Sequence, residues 1–175
     1  AGSTTLAADE VSATINGVSV TTRTPITLGY RQVSTVAAVS KSGATLTYRS
    51  LAPACALNGL QITPLSGTGE CAIAVTSAGN STASPITVIL PIRLTLGVQS
   101  LGGFTLPETA KAFSKSALPS VSNFGEKVKY KATGACSVVR SVLTVRRGKC
   151  EINATAVGKK ALYEGLNQKL VITGK

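Results

Sequence analysis

The four cysteines are the residues whose chemistry could define this chain, and they form two similar pairs. Cys136 and Cys150 lie in GACSVVRSVLTVRRGKCEINATAVG, and Cys55 and Cys71 bracket CALNGLQITPLSGTGECAIAV. Such thiols could hold a metal ion, act as a redox pair or form disulfides. Zinc sites usually need CxxC motifs or histidines, and redox thiols normally lie in a CxxC motif. Because the chain has no CxxC motif and no histidine, structural disulfides are the favoured interpretation.

Catalytic chemistry has few candidate residues in this sequence. Without histidine, the usual general base of hydrolases is missing, and neither G-x-S-x-G nor S-x-x-K occurs. The seven acidic residues are scattered apart from Asp9 and Glu10 near the N-terminus, although folding could still bring two carboxylates together as in a glycosidase. We therefore expect a protein that is not an enzyme and uses neither a cofactor nor a metal ion.

Positive charge is concentrated in the second half of the chain. Residues 1–97 carry five Lys or Arg against three Asp or Glu, whereas residues 98–175 carry thirteen against four. Lys127, Lys129 and Lys131 alternate with Val128 and Tyr130, so a β-strand would present the lysines on one face and the other two to a core. The candidate anion-binding or subunit-interface residues are Lys127, Lys129, Lys131, Arg146, Arg147, Lys149, Lys159 and Lys160.

Two interpretations of this basic region remain open. Lysines on exposed strands prevent edge-to-edge aggregation, and a solvated face would need no ligand. Alternatively, the region binds an anion such as a cell-wall polymer, an acidic glycan, nucleic acid or an acidic neighbouring subunit. Sequence-specific DNA binding is not expected, since neither a recognition helix nor an aromatic platform is visible.

The composition predicts an all-β protein. Hydrophobic residues make up 43% and charged residues only 14%, and 17 glycines and 7 prolines separate short apolar runs. The segment SATINGVSVTT predicts a hairpin with Asn16 and Gly17 in a type I′ turn. The most apolar window, SPITVILPIRLTLGV, is too short to span a membrane and contains Pro91 and Arg93.

One stretch, PETAKAFSKSAL at residues 107–118, has helical character. Pro107 suits the first helical position, Glu108 the first turn and Lys115 the last turn. We expect one or two helical turns there.

The second half of the chain repeats the order of motifs in the first. KVKYKATGACSV matches ATLTYRSLAPACAL, VLTV matches LQIT, KCEINATAVG matches ECAIAVTSAG, and LVIT closes the unit as TVIL does. Around the first cysteine pair, CAL, LQITPL and ECAIAVTS predict three short strands in a meander. Two copies of one unit are therefore predicted, at residues 25–97 and 98–175.

Residues 1–24 form an N-terminal segment and hairpin that could belong to the first unit. Within them, AGSTTLAADEVSA has two interpretations. It could add a strand to a neighbouring molecule by β-augmentation, or it could be a frayed terminus.

A disulfide would contribute a large share of the stability of a unit of this size. A domain of about 80 residues buries only about 60 to 65% of its unfolded surface, and a disulfide closing a loop of about 15 residues contributes roughly 3 kcal/mol. The first and third strands of one flat meander lie about 9.6 Å apart, beyond the limit of about 7 Å between bonded cysteines. The cysteines must then meet at a strand end or across the two sheets of a sandwich.

The motif around each cysteine pair resembles a known family, the cysteine-containing Ig-like repeats found in tandem on secreted and surface proteins of bacteria, especially actinobacteria. The matching residues of the second unit are Tyr130, Cys136, Gly148, Cys150, Ile152, Ala154, Gly158 and Tyr163. Those of the first unit are Tyr48, Cys55, Gly59, Gly69, Cys71, Ile73 and Gly79. The resemblance implies two tandem Ig-like β-sandwich domains with one internal disulfide each, Cys55–Cys71 and Cys136–Cys150, and a structural, spacing or adhesive role.

These observations lead to two functional hypotheses. The chain starts at Ala1 and contains no methionine, which together with the cysteines predicts a secreted protein at the cell surface or virion surface. The first hypothesis is a structural subunit of a filament, sheath, surface layer or virion decoration, with copies of itself or another surface protein as partners. The second is a secreted binding or adhesion module whose basic second domain holds an anionic cell-wall polymer or glycan.

Overall fold

The computed structural model describes residues 4–175; residues 1–3, the start of AGSTTLAADEVSA, lie outside the described part. The protein is all-β, as predicted, and residues 4–175 contain fourteen strands. It divides into two compact units, Ala1–Gly97 and Val98–Lys175.

The two units differ in strand length, and the two longest strands, of 11 and 15 residues, lie in the second unit. Unit 1 contains β1 (Val11–Ile15), β2 (Val18–Ser19), β3 (Ile26–Gly29), β4 (Ser34–Ser40), β5 (Leu46–Ser50), β6 (Cys55–Asn58), β7 (Gln61–Pro64), β8 (Glu70–Ser77) and β9 (Ile86–Thr95). Unit 2 contains β10 (Thr109–Ala110), β11 (Lys115–Ala117), β12 (Lys129–Val139), β13 (Val142–Ala156) and β14 (Leu166–Gly174).

Unit 1 is a β-sandwich of two sheets. One sheet has five strands in the order β2-β1-β4-β7-β6, and the other has four in the order β3-β9-β8-β5. Ile15, Val36 and Ile62 of the first sheet and Ile73 and Leu90 of the second are fully buried in one core cluster. The alternation of buried and exposed residues along each strand gives each sheet one apolar face, and the two apolar faces cover each other.

The N-terminal hairpin is part of unit 1. Asn16 and Gly17 have φ values of 52° and 78°, as the predicted type I′ turn requires. β1 pairs with β4 inside the five-stranded sheet, and Ala8 forms a parallel bridge to Ser84. The expectation of a donated strand or a frayed end is therefore wrong for residues 8–13, because this stretch already pairs with Ser84 and with β4 inside unit 1.

Unit 2 is built around one long bent hairpin. Residues 129–134 of β12 pair with residues 150–155 of β13, and residues 136–139 pair with residues 142–145. Between these two ladders, residues 146–149 of β13 lie opposite Ala135 alone, so β13 bulges outward and changes direction. β14 and β10 extend the first ladder, β11 extends the second, and both ladders contribute to one core.

The two units share one plan. β12 corresponds to β5 followed by β6, β13 to β7 followed by β8, and β14 to β9. The register agrees, since Cys71 is paired with Ile92 as Cys150 is with Ile172. LVIT thus corresponds to residues 90–93 and not to TVIL. The two alignments differ by three residues, and an odd shift exchanges the two faces of a strand, so the match to TVIL would have placed the wrong side chains in the core.

The three strands around the first cysteine pair do not form one meander. β6 and β7 make a hairpin in the five-stranded sheet, whereas β8 pairs with β5 and β9 in the four-stranded sheet. The chain crosses from one sheet to the other between Pro64 and Glu70.

The predicted helix at residues 107–118 is also wrong. Thr109–Ala110 pairs in parallel with β14, residues 111–114 form a turn, and Lys115–Ala117 pairs with β13. An isolated helix shorter than about 12 residues is marginal in water, so backbone bonds to two existing strands outweigh the local preference.

Candidate functional site

The cysteines form two disulfides, each inside its own unit. Cys55–Cys71, with a Cα–Cα distance of 6.1 Å, joins β6 of the five-stranded sheet to β8 of the four-stranded sheet. Cys136–Cys150, at 5.5 Å, joins β12 to β13 beside the break in their register. All four side chains are buried. Cys55–Cys71 connects the two sheets of unit 1, and Cys136–Cys150 connects the two ladders of the long hairpin in unit 2.

The lysines of β12 lie on the outside of unit 2. Lys129 and Lys131 are exposed on the strand, and Lys127 is exposed just before it. Val128 is buried at 4% exposure, and the partly buried Tyr130 donates its hydroxyl to the carbonyl oxygen of Pro119 at 2.6 Å. Burial raises the pKa of Tyr130.

Pairing of β12, β13 and β14 brings further polar residues beside these lysines. Lys131 is paired with Asn153, and Asn153 is paired on its other side with Lys169. Lys169 was not among the predicted residues. Nothing near it in the sequence marks it, because its place beside Lys131 depends on the register between β14 and β13.

Glu151 partly neutralises this surface. Its two carboxylate oxygens contact Nζ of Lys149 at 2.8 Å and Nζ of Lys169 at 3.0 Å. Hydrogen bonds and attraction from these two lysines lower the pKa of Glu151. Exposed ion pairs of this kind contribute only about 0 to 1 kcal/mol to stability, so both lysines can exchange Glu151 for another anion at little cost.

The remaining predicted cations lie on either side of the β13 segment, residues 150–155, that pairs with Lys129 and Lys131. Arg146, Arg147 and Lys149 occupy the outward bulge of β13, and Lys159 and Lys160 occupy the turn after it. At about 3.4 Å per residue, the strand from Lys149 to Thr155 is about 20 Å long. The predicted residues therefore form an extended basic row and do not converge on one pocket.

The outer face of the five-stranded sheet in unit 1 has the opposite character, since no residue in its five strands is charged. Val39, near the end of β4, is 67% exposed. The charged pair at the end of this face, Lys41 and Glu10, is mutually neutralised at 2.7 Å. We call this surface the uncharged face; its exposed residues are Ser12, Ser19, Thr35, Ala37, Val39, Ala56, Asn58 and Gln61.

A buried carboxylate in unit 1 was missed as a structural residue. Asp9 is 3% exposed and accepts hydrogen bonds from the hydroxyls of Ser40 at 2.6 Å and Ser77 at 2.5 Å, and from the backbone N–H of Ser42 at 3.1 Å. The Ser40 and Ser77 bonds are the main cause of its strongly lowered pKa. The three serines lie 31, 33 and 68 residues from Asp9 in the sequence, so only folding reveals the cluster.

The described residues contain neither a metal-binding cluster nor a membrane-spanning helix. Among residues 4–175, no group of three His, Cys, Asp or Glu side chains is placed to hold a metal ion. No helix in the same residues is long and apolar enough to cross a membrane.

Comparison with known proteins adds no identification. No protein-family model matches the chain, and no curated protein matches it either. The class of protein that the structure defines is thus an all-β chain of two disulfide-containing units, and the disulfides indicate an oxidising, extracellular environment.

Proposed function

We propose that this chain is a non-enzymatic structural subunit of an extracellular assembly, such as a filament, sheath, surface layer or virion decoration, built from two Ig-like modules. The observation that carries the proposal is the uncharged face. A sheet face that remains in water normally carries charged side chains, whereas the centres of protein interfaces are depleted in them. Small polar and apolar side chains such as those of Thr35, Ala37 and Val39 lose little hydration when another surface covers them.

The charge distribution favours a head-to-tail arrangement of copies. Unit 2 has a net charge of +9 and unit 1 of +2, so two unit 2 surfaces repel each other more than unit 2 repels unit 1. A contact between unlike surfaces leaves one of each surface free on every pair of copies, so further copies add and generate a filament or a shell unless the rotation closes a ring. The disulfides suit such a secreted particle, since they stabilise small units outside the cell.

The test places a charge on the uncharged face. Ala37→Glu introduces a carboxylate at its centre, and Thr87→Glu introduces one at an exposed position on β9 of the other sheet as the control. Light scattering after size exclusion and negative-stain microscopy should show regular polymers for the wild type and Thr87→Glu, and monomers for Ala37→Glu. A wild type that stays monomeric at every concentration, or polymers that form equally well with Ala37→Glu, would contradict the proposal.

A second candidate function rests on the basic row of unit 2. Lys127, Lys129 and Lys131 with Lys169 and the cations at the strand ends make a surface about 20 Å long, which suits an extended anionic cell-wall polymer or glycan. In this case, the protein is a secreted adhesion module.

Retention on immobilised heparin tests this second function. Retention should fall as salt rises, and replacing Lys127, Lys129 and Lys131 by Glu should abolish it. The matched control replaces Arg23, Arg49 and Arg93 of unit 1 by Glu, which changes the net charge equally and should leave more retention. Equal loss in the two triple variants would show that net charge alone is responsible.

A further inference from the structure

A strained turn in unit 2 presents an exposed aromatic ring. Residues 111–114 form a turn that is closed by a hydrogen bond from the N–H of Ser114 to the carbonyl of Lys111 at 3.1 Å. Phe113, its third residue, has a φ of 65° and is 74% exposed. This left-handed conformation favours glycine, and a bulky residue there is an outlier that calls for a reason.

The turn itself belongs to the repeated unit. The N–H of Phe113 donates to the carbonyl oxygen of Val145 at 2.7 Å. The equivalent bond in unit 1 runs from the N–H of Arg31 to the carbonyl oxygen of Pro64 at 3.0 Å. Arg31 also has a positive φ, of 58°. Its guanidinium lies 5.2 Å from the centre of the Tyr30 ring, so unit 1 uses the position for a local contact. The architecture explains the turn in both units but not the exposed phenyl ring of Phe113.

The sheet surface beside Phe113 is apolar at one end. Ala117, Val142 and Val139 lie in one row across β11, β13 and β12 and point outward, since Leu143, the chain neighbour of Val142, is fully buried. The row of Lys115, Thr144 and Ser137 lies between this apolar row and the Phe113 turn. Val139 is 66% exposed and Val142 is 38% exposed. We call this surface, from Phe113 to Val139, the Phe113 face.

Cations surround the Phe113 face, and the strand segments that form it, Lys115–Ala117, residues 136–139 and residues 142–147, contain no carboxylate. Lys115 is on β11, Arg140 is in the hairpin turn beside Val139, and Arg146 follows Val145, which accepts the Phe113 hydrogen bond. The exposed cations of the face are Lys111, Lys115, Arg140, Arg146 and Arg147. Between residues 109 and 150, the sequence contains one acidic residue, Glu126, which precedes β12.

We propose that the Phe113 face docks on a membrane surface rich in anionic lipid. Phe113 would insert its ring at the boundary between headgroups and acyl chains at one end of the face, with Val139 and Val142 in contact with the membrane at the other end. The surrounding Lys and Arg side chains would bind the headgroup phosphates. A soluble polyanion would leave these three apolar side chains in water. Single-stranded nucleic acid is bound by grooves with several aromatic rings, whereas here one ring stands on a projecting turn.

The test is co-sedimentation with lipid vesicles. The wild type should bind vesicles of equal parts phosphatidylglycerol and phosphatidylcholine, bind phosphatidylcholine alone much less, and lose binding as salt rises. Phe113→Gly should bind about tenfold more weakly or worse, because the ring's burial is lost. Glycine suits the positive φ, so the melting temperature of this variant should not fall. Arg31→Gly, the same change in the equivalent turn of unit 1, should bind like the wild type.

A second variant tests whether the valines of the Phe113 face contribute to vesicle binding as well as the turn. Val139→Ser combined with Val142→Ser should also weaken vesicle binding while the melting temperature changes little, since both side chains are exposed. The proposal is overturned if the wild type does not bind anionic vesicles or if Phe113→Gly binds them equally well. It is also overturned if Phe113 is needed for binding dextran sulfate but not vesicles, because the partner would then be a soluble polyanion.

Discussion

Asp9 shows what one buried carboxylate does for the N-terminal part of unit 1. Ser40 and Ser42 at the end of β4 and Ser77 at the end of β8 all donate to it, so Asp9 connects strands from both sheets of the sandwich. Hydrogen bonds to an ionised acceptor are stronger than those between neutral groups, and donors left without it would be buried and unpaired.

Replacing Asp9 by Ala should therefore lower the melting temperature of unit 1 by several degrees. The control is Glu10→Ala, which removes an exposed neighbouring carboxylate and its exposed ion pair with Lys41 and should change the melting temperature little. Differential scanning calorimetry measures both. Equal effects of the two substitutions would show that the hydrogen bonds to Asp9 do not matter.

The lowered pKa of Asp9 also predicts a pH dependence. Folding depresses this pKa below its unfolded value of about 3.9, so the ionised group stabilises the fold above about pH 4, and this contribution is lost as the pH falls towards the folded pKa. The difference in melting temperature between the wild type and Asp9→Asn should shrink as the pH is lowered from 7 to about 2. A difference that stays constant across this range would contradict the assignment.

At the scale of elements, the long hairpin of unit 2 turns through two residues that seldom occupy such a turn. Arg140 and Ser141 connect β12 to β13 with φ values of 48° and 60°, whereas the first hairpin of unit 1 uses Asn16 and Gly17. A left-handed conformation costs an ordinary residue roughly 1 to 2 kcal/mol, and Asn-Gly is the pair best suited to a type I′ turn.

Replacing Arg140-Ser141 by Asn-Gly should thus stabilise unit 2 by about 1 kcal/mol in urea unfolding. The reverse exchange, Arg-Ser at Asn16-Gly17, should destabilise unit 1. In that variant, the loss also includes the hydrogen bonds that Asn16 makes to Thr35 and Ser34. No gain from the first exchange would mean that the Arg140 or Ser141 side chain makes a compensating contribution.

At the scale of the whole molecule, the chain has two units with a similar strand arrangement, one disulfide each and different surfaces. Each unit has one disulfide, which lies beside the crossing between sheets in unit 1 and beside the break between ladders in unit 2. Strands that are separate in unit 1 are continuous in unit 2 as β12 and β13. Unit 1 carries the uncharged face and unit 2 carries the basic row. Duplication of a fold with divergence of its surface is expected, because core packing limits which buried residues can change while exposed residues are free to change.

Removing either disulfide should weaken its own unit. Replacing Cys136 and Cys150 by Ala should cost unit 2 about 3 kcal/mol, and replacing Cys55 and Cys71 should cost unit 1 a similar amount, because the closed loops span 14 and 16 residues. Hydrogen exchange followed by mass spectrometry locates the loss of protection. Protection lost equally across both units in each variant would contradict the assignment of one disulfide to each unit.

The sequence by itself determined the all-β class, the Asn16-Gly17 hairpin and the outward row of Lys129 and Lys131. All of these depend on local patterns: strand alternation repeats every two residues, and a type I′ turn is specified by two adjacent residues.

Only the tertiary structure decided which elements meet. Lys169 lies beside Lys131 through the pairing of three strands, Asp9 meets serines from two sheets, and residues 107–118 form strands where local preference predicted a helix. The Phe113 face was likewise invisible, because its valines and its cations come from segments that pairing brings together. The physical reason is that strand pairing and burial are long-range interactions, and their combined free energy exceeds the weak preferences of short segments.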